Sequence, residues 1–474
     1  MNMSGPSADT LSRLADAAGP AGALRPDSED LARYLVEWRG LFHGETPLVL
    51  RPASVDAVAA IVRIAHETGT GLVPQGGNTG LVGGQIPDMS GSQVIVSLER
   101  MNSVRTVDPL NNTMIVDAGC TLQTTQEAAA SNNRLFPLSL ASEGSCQVGG
   151  VISTNAGGTA VLRYGSMRDL VLGLEAVLPN GEIWDGLSGL RKDNTGYDLT
   201  RLLAGAEGTL GIITGAVVKL FPKPRATETA FAALRDPQAA VELLARLQDA
   251  SGGLVSTFEI ISDSGFELTL RHFEGAKDPL SHPSDWYVLA EVTAGTDGWL
   301  RTMLETALGN AIDDGLVLDA TLAESETQRA ALWALRENMS EAQKLEGASI
   351  KHDVSVPVSS VPAFLQQATD AVTAAMPGVR PVPFGHIGDG NIHFNLSQPI
   401  AMDPQAFLDQ WQAMNDIVHG IVASLGGSIS AEHGIGTLKR DEIKTYKSDV
   451  ELGVMRAIKA ALDPKGIMNP GKLL

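Results

Sequence analysis

The chain has 474 residues, 43% of them hydrophobic, and carries 55 Asp and Glu against 35 Lys and Arg, a net charge of −20. That length calls for two or three domains, and that charge excludes nucleic acid and anionic membrane as principal partners. The 50 glycines, about one residue in ten against roughly 7% in average usage, gather between hydrophobic strands instead of forming low-complexity tracts.

Residues 1–41 read as a helical lead-in without the apolar core of a signal peptide. Asp9, Asp16, Asp27, Glu29 and Asp30 do not suit a transit peptide either. No apolar run approaches the roughly 18 residues of a membrane span, so a cytoplasmic protein is expected. Cys120 and Cys146 match no zinc or redox spacing and are expected to be buried thiols.

From PLVLRPASVDAVAAIVRIAHETGTGLVPQGG the pattern becomes strand, helix, strand. Ser54 caps the helix, and Val55, Val58, Ile61, Val62 and Ala65 give it an apolar stripe. QVIVSL and TMIVDAG read as strands, and LGLEAVLPNGEIWD as a hairpin turning on the positive φ angles of Asn180-Gly181. GTLGIITGAVVKLFP closes a first domain, expected over residues 42–224, and KPRATETA is read as the linker after it.

The second domain, expected over 225–424, opens with the strand TETAFAAL and a helix that Asp236 and Pro237 start and that runs to about Leu247. LVSTFEII and WYVLAEVTA are strands, followed by a helix over 297–312, a further strand, a charged helix around 324–346 and the strand SIKHDVSVP. The order predicts an α+β fold in which an antiparallel sheet carries helices on one face. Residues 425–474 are expected to be a helical C-terminal segment that contributes to the site.

Three segments combine small and polar residues without a helix or strand period: PQGGNTGLVGG (74–84), ASEGSCQVGGVISTNAGG (141–158) and AGAEGTLGIIT (204–214). None is a Rossmann or Walker loop, yet three in one domain suit a long cofactor lined by backbone donors. With RKDNTGYDL (191–199), these segments resemble the flavin domain of the vanillyl-alcohol oxidase/p-cresol methylhydroxylase superfamily. Within it the chain is similar to the FAD-linked D-2-hydroxyacid dehydrogenases, nearest to those acting on D-2-hydroxyglutarate, from about residue 42 to the C-terminus.

The resemblance implies that FAD is held by Pro74, Gly76, Gly77, Asn78, Thr79, Gly80 and Leu81 at the pyrophosphate. It places Gly144, Ser145, Gly149, Gly150, Thr154, Asn155 and Gly157 along the flavin and ribityl chain, and Ile213 at the adenine side. Some superfamily members attach FAD through a histidine in the first loop, where this chain has Asn78, so non-covalent FAD is expected.

GHIGDGNIHFN (385–395) carries two of the nine histidines around a turn. Gly388 and Gly390 disfavour a helix, so a reversal at Gly-Asp-Gly-Asn is what lets His386 and His393 converge. With Glu432 of AEHGIG they make a ligand set for Zn²⁺ with an open fourth position, although Mn²⁺, Co²⁺ and Fe²⁺ accept the same donors. Each histidine alone would read as structural. The resemblance assigns His386, His393 and Glu432 to the metal and His433 to the general base. Asp389 suits either a turn residue or a partner to a ligating histidine.

Arg336 and Ser340 lie four apart on the charged helix, and Lys351 follows in SIKHDV. In the D-2-hydroxyglutarate dehydrogenases an Arg, a Thr and a Lys at this spacing bind the distal carboxylate, and Asn395 matches a residue that holds substrate near the metal. Ser340 keeps the hydroxyl and loses the methyl.

The expected activity is oxidation of a D-2-hydroxy dicarboxylic acid, D-2-hydroxyglutarate ahead of D-malate, by hydride transfer to FAD. An electron-transfer flavoprotein or a quinone is the expected acceptor, and a homodimer the default assembly. Three other readings stand beside it: a D-lactate or glycolate dehydrogenase, a His₂Glu metal hydrolase acting on a nucleotide-like substrate, and a non-catalytic flavin-binding subunit.

Overall fold

The structure, a computed structural model, describes residues 5–474. Its chain contacts divide it into two units. The first holds the residues up to Gly158, Gly165–Lys223 and Glu432–Leu474; the second holds Thr159–Tyr164 and Pro224–Ala431.

In the first unit, β1 (Ala23–Leu24), β2 (Val49–Leu50), β3 (Gly71–Gln75) and β4 (Gln93–Ser97) form a sheet in the order β1-β2-β4-β3. Strand β4 runs parallel to both β2 and β3, as a helical crossover requires. That crossover is the helix Val55–Thr68, capped by Ser54, which accepts from Ala57 N at 3.2 Å. Gly69 ends it at φ 72°, in the left-handed region where a Cβ is penalised. Its stripe Val58, Ile61, Val62 and Ala65 is fully buried.

A second sheet is antiparallel, in the order β5-β6-β10-β8-β9. It is built from β5 (Val104–Asp108), β6 (Thr113–Asp117), β8 (Val171–Val177), β9 (Ile183–Gly186) and β10 (Ile212–Lys219). A small ribbon pairs β7 (Arg134–Leu135) with β11 (Phe221–Pro222). The β8–β9 hairpin differs from expectation at its turn, because only Gly181, at φ 81°, is left-handed. Gly181 N donates to Leu178 O at 2.8 Å, so Pro179 and Asn180 form the corner and glycine resolves the twist after it.

The second unit is one eight-stranded antiparallel sheet in the order β15-β12-β14-β13-β18-β19-β16, with β17 also on β19. Its strands are β12 (Ala226–Leu234), β13 (Val255–Ser262), β14 (Trp286–Ala294), β15 (Val317–Leu322), β16 (Ser349–Ile350), β17 (Asp353–Ser355), β18 (Arg380–Gly385) and β19 (Asn391–Ser397). Helices flank both faces, where the sequence predicted one. Along β12 the residues Ala230, Ala232 and Leu234 join the core under helices Pro237–Ser251, Leu300–Asp313, Val361–Ala375 and Trp411–Ser424. Phe231 and Ala233 join a second core under Asp263–His272, Glu326–Glu337 and Met339–Lys344. A strand apolar on both sides needs two covers, and a period-2 reading of one face conceals the other.

Three further expectations are corrected. The charged helix is broken at Asn338, whose ψ of −8° departs from the helical value of about −42°. SIKHDVSVP is split into β16 and β17, because the His352 ring Nδ1 donates to Phe394 O at 2.8 Å where a strand would use its backbone. In the C-terminal segment only Ile443–Tyr446 and Asp449–Leu462 are helical. Cys120 and Cys146 are free and buried, and among the described residues no helix is long and apolar enough to cross a membrane.

Candidate functional site

In the first unit the three glycine-rich segments meet. Pro74 and Gln75 end β3 and deliver the chain to Gly76 and Gly77. A Cβ at Gly77 would lie 1.8 Å from Ser145 O, and one at Gly76 would lie 3.5 Å from Gln147 Cβ, so the first segment runs against the second. A Cβ at Gly208 would lie 3.1 Å from Pro74 Cγ, which brings in the third.

Asn78 is left-handed at φ 55°, and its Nδ2 donates to Arg33 O and Val36 O at 2.9 Å each. The side-chain amide thus pins the loop to the N-terminal lead-in. Gln85 Nε2 braces the same loop, donating to Gly80 O at 2.8 Å and to Asn78 Oδ1 at 3.1 Å. Thr79 lies between these two anchors, and Arg39 donates to Leu81 O.

In the second segment Ser145 Oγ donates to Ser142 O at 3.2 Å, and Gly144 precedes it against Gln123. Gly149 N donates to Ala118 O at 2.7 Å, where a Cβ would meet Ala118 Cβ at 2.8 Å. Gly150, one residue on, faces open space. Thr154 Oγ1 donates back to Gly150 O at 3.2 Å. Asn155 (φ 52°) accepts from Arg168 N at 2.8 Å. Ile213 sits in β10 opposite Ala176, beside a bulge before Gly215.

These residues fit a cofactor. The tight glycines hold the walls together, Gly150 leaves room, and Gln147 Oε1 is a buried acceptor without a protein partner, 3.6 Å from a Cβ at Gly76.

Glu432 and His433 belong to this first unit. Glu432 Oε1 accepts from Gly158 N at 2.7 Å, and a Cβ at Gly157 would lie 2.6 Å from the same oxygen. Two residues beyond His433, Glu207 accepts from Ile435 N and Gly436 N at 2.7 Å each. Glu207 holds an unfavourable φ of 52°, and burial pushes its carboxyl up against those two hydrogen bonds. Sequence reading passed over Glu207, although it stands in AGAEGTLGIIT.

In the second unit β18 and β19 form a hairpin in which Phe384 faces His393 across the ladder. Its turn is closed by Asp389 N to His386 O at 3.1 Å and Gly390 N to Ile387 O at 3.2 Å. Gly390 is left-handed at φ 82°, and a Cβ there would lie 2.0 Å from Val356 O. Asp389 Oδ1 accepts from Asn391 N at 3.1 Å, which is a turn role. His386 and His393 converge with ring centroids 5.5 Å apart, and one nitrogen of each lies within 4.8 Å of the other.

Each histidine also faces a carboxylate absent from the sequence reading. Glu259, fully buried in β13, accepts from His386 Nδ1 through Oε1 and from Arg336 Nε through Oε2 at 2.7 Å. Burial pushes its carboxyl up, but His386 and then Arg336, both donating to it, outweigh that and hold it well below the usual range. Asp353 Oδ1 lies 3.8 Å from His393 Nδ1 and accepts from Asn391 Nδ2 at 3.0 Å. The Glu259 carboxylate on Nδ1 disposes the His386 ring to ligate through Nε2, while Asp353 Oδ1, 3.8 Å from His393 Nδ1, lies beyond hydrogen-bond distance of that nitrogen. Two converging imidazoles are a donor set that fits a divalent metal. The signal for Glu259 was a lone charge in LVSTFEII, a strand whose every residue from Val255 is buried.

Arg336 is fixed by Glu259 and by Phe384, whose ring lies 4.6 Å beneath the guanidinium carbon. Ser340 stands in the helix Met339–Lys344, beyond the break at Asn338, and Lys351 lies between β16 and β17. Asn395 is buried in β19 and donates to Gln343 Oε1 at 2.9 Å, while Gln343 donates to Ser397 Oγ at 3.0 Å.

Residues 46–186 match the FAD binding domain family, and residues 223–473 match the C-terminal domain of FAD linked oxidases. The chain is 36% identical to the mitochondrial D-2-hydroxyglutarate dehydrogenase of Arabidopsis thaliana, over 94% of this chain and 78% of that one. It is 35% identical to the D-2-hydroxyglutarate dehydrogenase of Xanthomonas citri, over 96% and 95%. It is also 35% identical to a D-2-hydroxyglutarate–pyruvate transhydrogenase of Saccharomyces cerevisiae, over 94% and 90%. Its fold is similar to that of p-cresol methylhydroxylase, with a TM-score of 0.72 at 18% identity, covering 98% and 96%. Alkyldihydroxyacetonephosphate synthase gives 0.76 at 17% identity, covering 99% and 86%.

Proposed function

The chain belongs to the FAD-linked oxidases, and from that premise we propose that it is a dehydrogenase of D-2-hydroxy dicarboxylic acids. D-2-hydroxyglutarate is the favoured substrate and D-malate the next, with the 2-oxo acid as product. One observation carries this reading: the buried Glu259 ties Arg336 to His386, setting a guanidinium beside a histidine pair. A diacid with a hydroxyl next to one carboxylate asks for both. D-lactate and glycolate have no second carboxylate for the arginine, and membership of a flavin oxidase family leaves a hydrolase without support.

FAD, which the glycine-rich segments would hold non-covalently, would supply the acceptor for the hydrogen on C2. His386, His393 and Glu432 would hold a divalent metal, Zn²⁺ by preference, whose Lewis acidity favours the ionised hydroxyl. The chain's own groups do the rest. Arg336, Ser340 and Lys351 bind the distal carboxylate, which fixes the face of C2 that reacts. Asn395, steadied by Gln343, adds a polar contact at the other end of the substrate. His433 takes the hydroxyl proton onto its imidazole, a base role that histidine commonly fills. An electron-transfer flavoprotein or a quinone would serve as the final acceptor.

The test is anaerobic bleaching of the bound flavin by a panel of D-2-hydroxy acids. D-2-hydroxyglutarate should reduce it fastest, D-malate next and D-lactate least. Faster reduction by D-lactate than by both diacids would overturn the substrate assignment.

A further inference from the structure

We propose that Glu259 is a positioning residue for both halves of the site, one carboxylate oxygen setting the tautomer of His386 for metal ligation and the other aiming Arg336 at the substrate's distal carboxylate. The proposal rests on the function proposed above. Glu259 is fully buried on β13, between Phe258 and Ile260, which face the opposite core. A charge there persists only if its oxygens are taken up by donors, and two donors are present.

His386 Nδ1 donates to Oε1, and because a carboxylate only accepts, the ring proton sits on Nδ1, which makes Nε2 the nitrogen that would ligate a cation. Arg336 donates through Nε alone to Oε2 at 2.7 Å, so its two Nη groups remain for a second carboxylate. Phe384 beneath the guanidinium fixes its plane.

The docking of helix Glu326–Glu337 does not depend on this contact. Two turns earlier Arg329 Nε donates to Glu291 at 2.9 Å, and Trp333 Nε1 donates to the same oxygen at 3.1 Å. That second Arg–Glu pair has no histidine. It anchors the helix, whereas Glu259 serves the site.

Substitution separates the two roles. In Glu259→Gln the amide oxygen still accepts from Arg336 Nε, but the amide nitrogen must donate to His386 Nδ1. The ring proton then moves to Nε2, where it blocks ligation. Co²⁺ affinity, measured by equilibrium dialysis of metal-depleted, FAD-loaded protein, should fall on the order of 10–100-fold. The ratio of kcat/KM for D-2-hydroxyglutarate over D-lactate should persist. In Glu259→Ala both should fall, the ratio by about tenfold or more, the loss of one charge-assisted contact. If the alanine variant does not fold, Glu259→Asp, which withdraws the carboxylate by one carbon, should lower the same ratio.

Glu259→Gln that binds Co²⁺ as tightly as the wild type, or Glu259→Ala or Glu259→Asp that keeps the diacid preference, overturns the proposal. A wild type that neither binds Co²⁺ nor prefers the diacid overturns the functional reading beneath it, which is a distinguishable result.

Discussion

In the first unit the candidate cofactor residues are held by main chain: Gly77 against Ser145 O, Gly149 against Ala118 and Gly390-like left-handed corners at Asn78 and Asn155. In the second unit the candidate metal-binding histidine His393 and the carboxylates Glu259 and Asp353 are side chains projecting from the strands β19, β13 and β17. The difference follows from what each must bind. A long cofactor is gripped by close backbone approach, which only small residues permit. Chemistry at one carbon needs a few charged groups at fixed angles, which a paired strand supplies.

The contrast predicts different failures in the two units. His393→Ala should lower turnover on the order of 10³-fold, the several kcal/mol a catalytic metal supplies, with flavin content at the wild-type level in absorbance spectra. A matching loss of flavin would erase the distinction. Arg336→Lys, which replaces a fixed planar fork by a mobile point charge, should cost roughly 10–100-fold in kcat/KM for D-2-hydroxyglutarate. It should leave the rate with D-lactate nearly unchanged.

Gly77→Ala tests the other side, since its new carbon meets a backbone carbonyl that cannot swing away. A destabilisation of about 1–3 kcal/mol and substoichiometric FAD after purification are expected. Full occupancy with unaltered stability would show that the segments are not packed as described.

Acid should act on the side-chain-built unit. Glu346 accepts from His272, and Arg380 and Arg271 lie on the same carboxylate; these contacts hold its carboxyl at about 2. Its folded value lies below the unfolded one near 4.3, so its stabilisation is complete above that pH and is lost as pH falls toward 2. Urea midpoints should decline between about pH 4.5 and 2.5 in the wild type and less steeply in Glu346→Gln.

The comparison also explains what could be read from the sequence. The glycine-rich segments are contiguous in the chain, so residue type and order disclose them, as they do the caps at Ser54 and Asp236. The turn that brings His386 to His393 is likewise local, since two glycines and an Asx residue suffice to reverse the chain. Glu259 is 127 residues from His386 in sequence, and only the pairing of β13 with β18 makes them neighbours. The second helical cover escaped notice because Ala230, Ala232 and Ala233 carry too little hydrophobic contrast to mark two faces. The Asn338 break and the β16–β17 interruption turn on one dihedral and one ring hydrogen bond, below the resolution of residue patterns.

The central claim is that flavin and metal act on one D-2-hydroxy diacid. Its most direct test is the rate of anaerobic flavin reduction by D-2-hydroxyglutarate before chelation, after chelation and after return of Zn²⁺. Rapid bleaching, a loss of at least about 10²-fold on chelation, and recovery on return of the metal with FAD bound throughout are expected. Bleaching at an unchanged rate after the metal has been removed would contradict it.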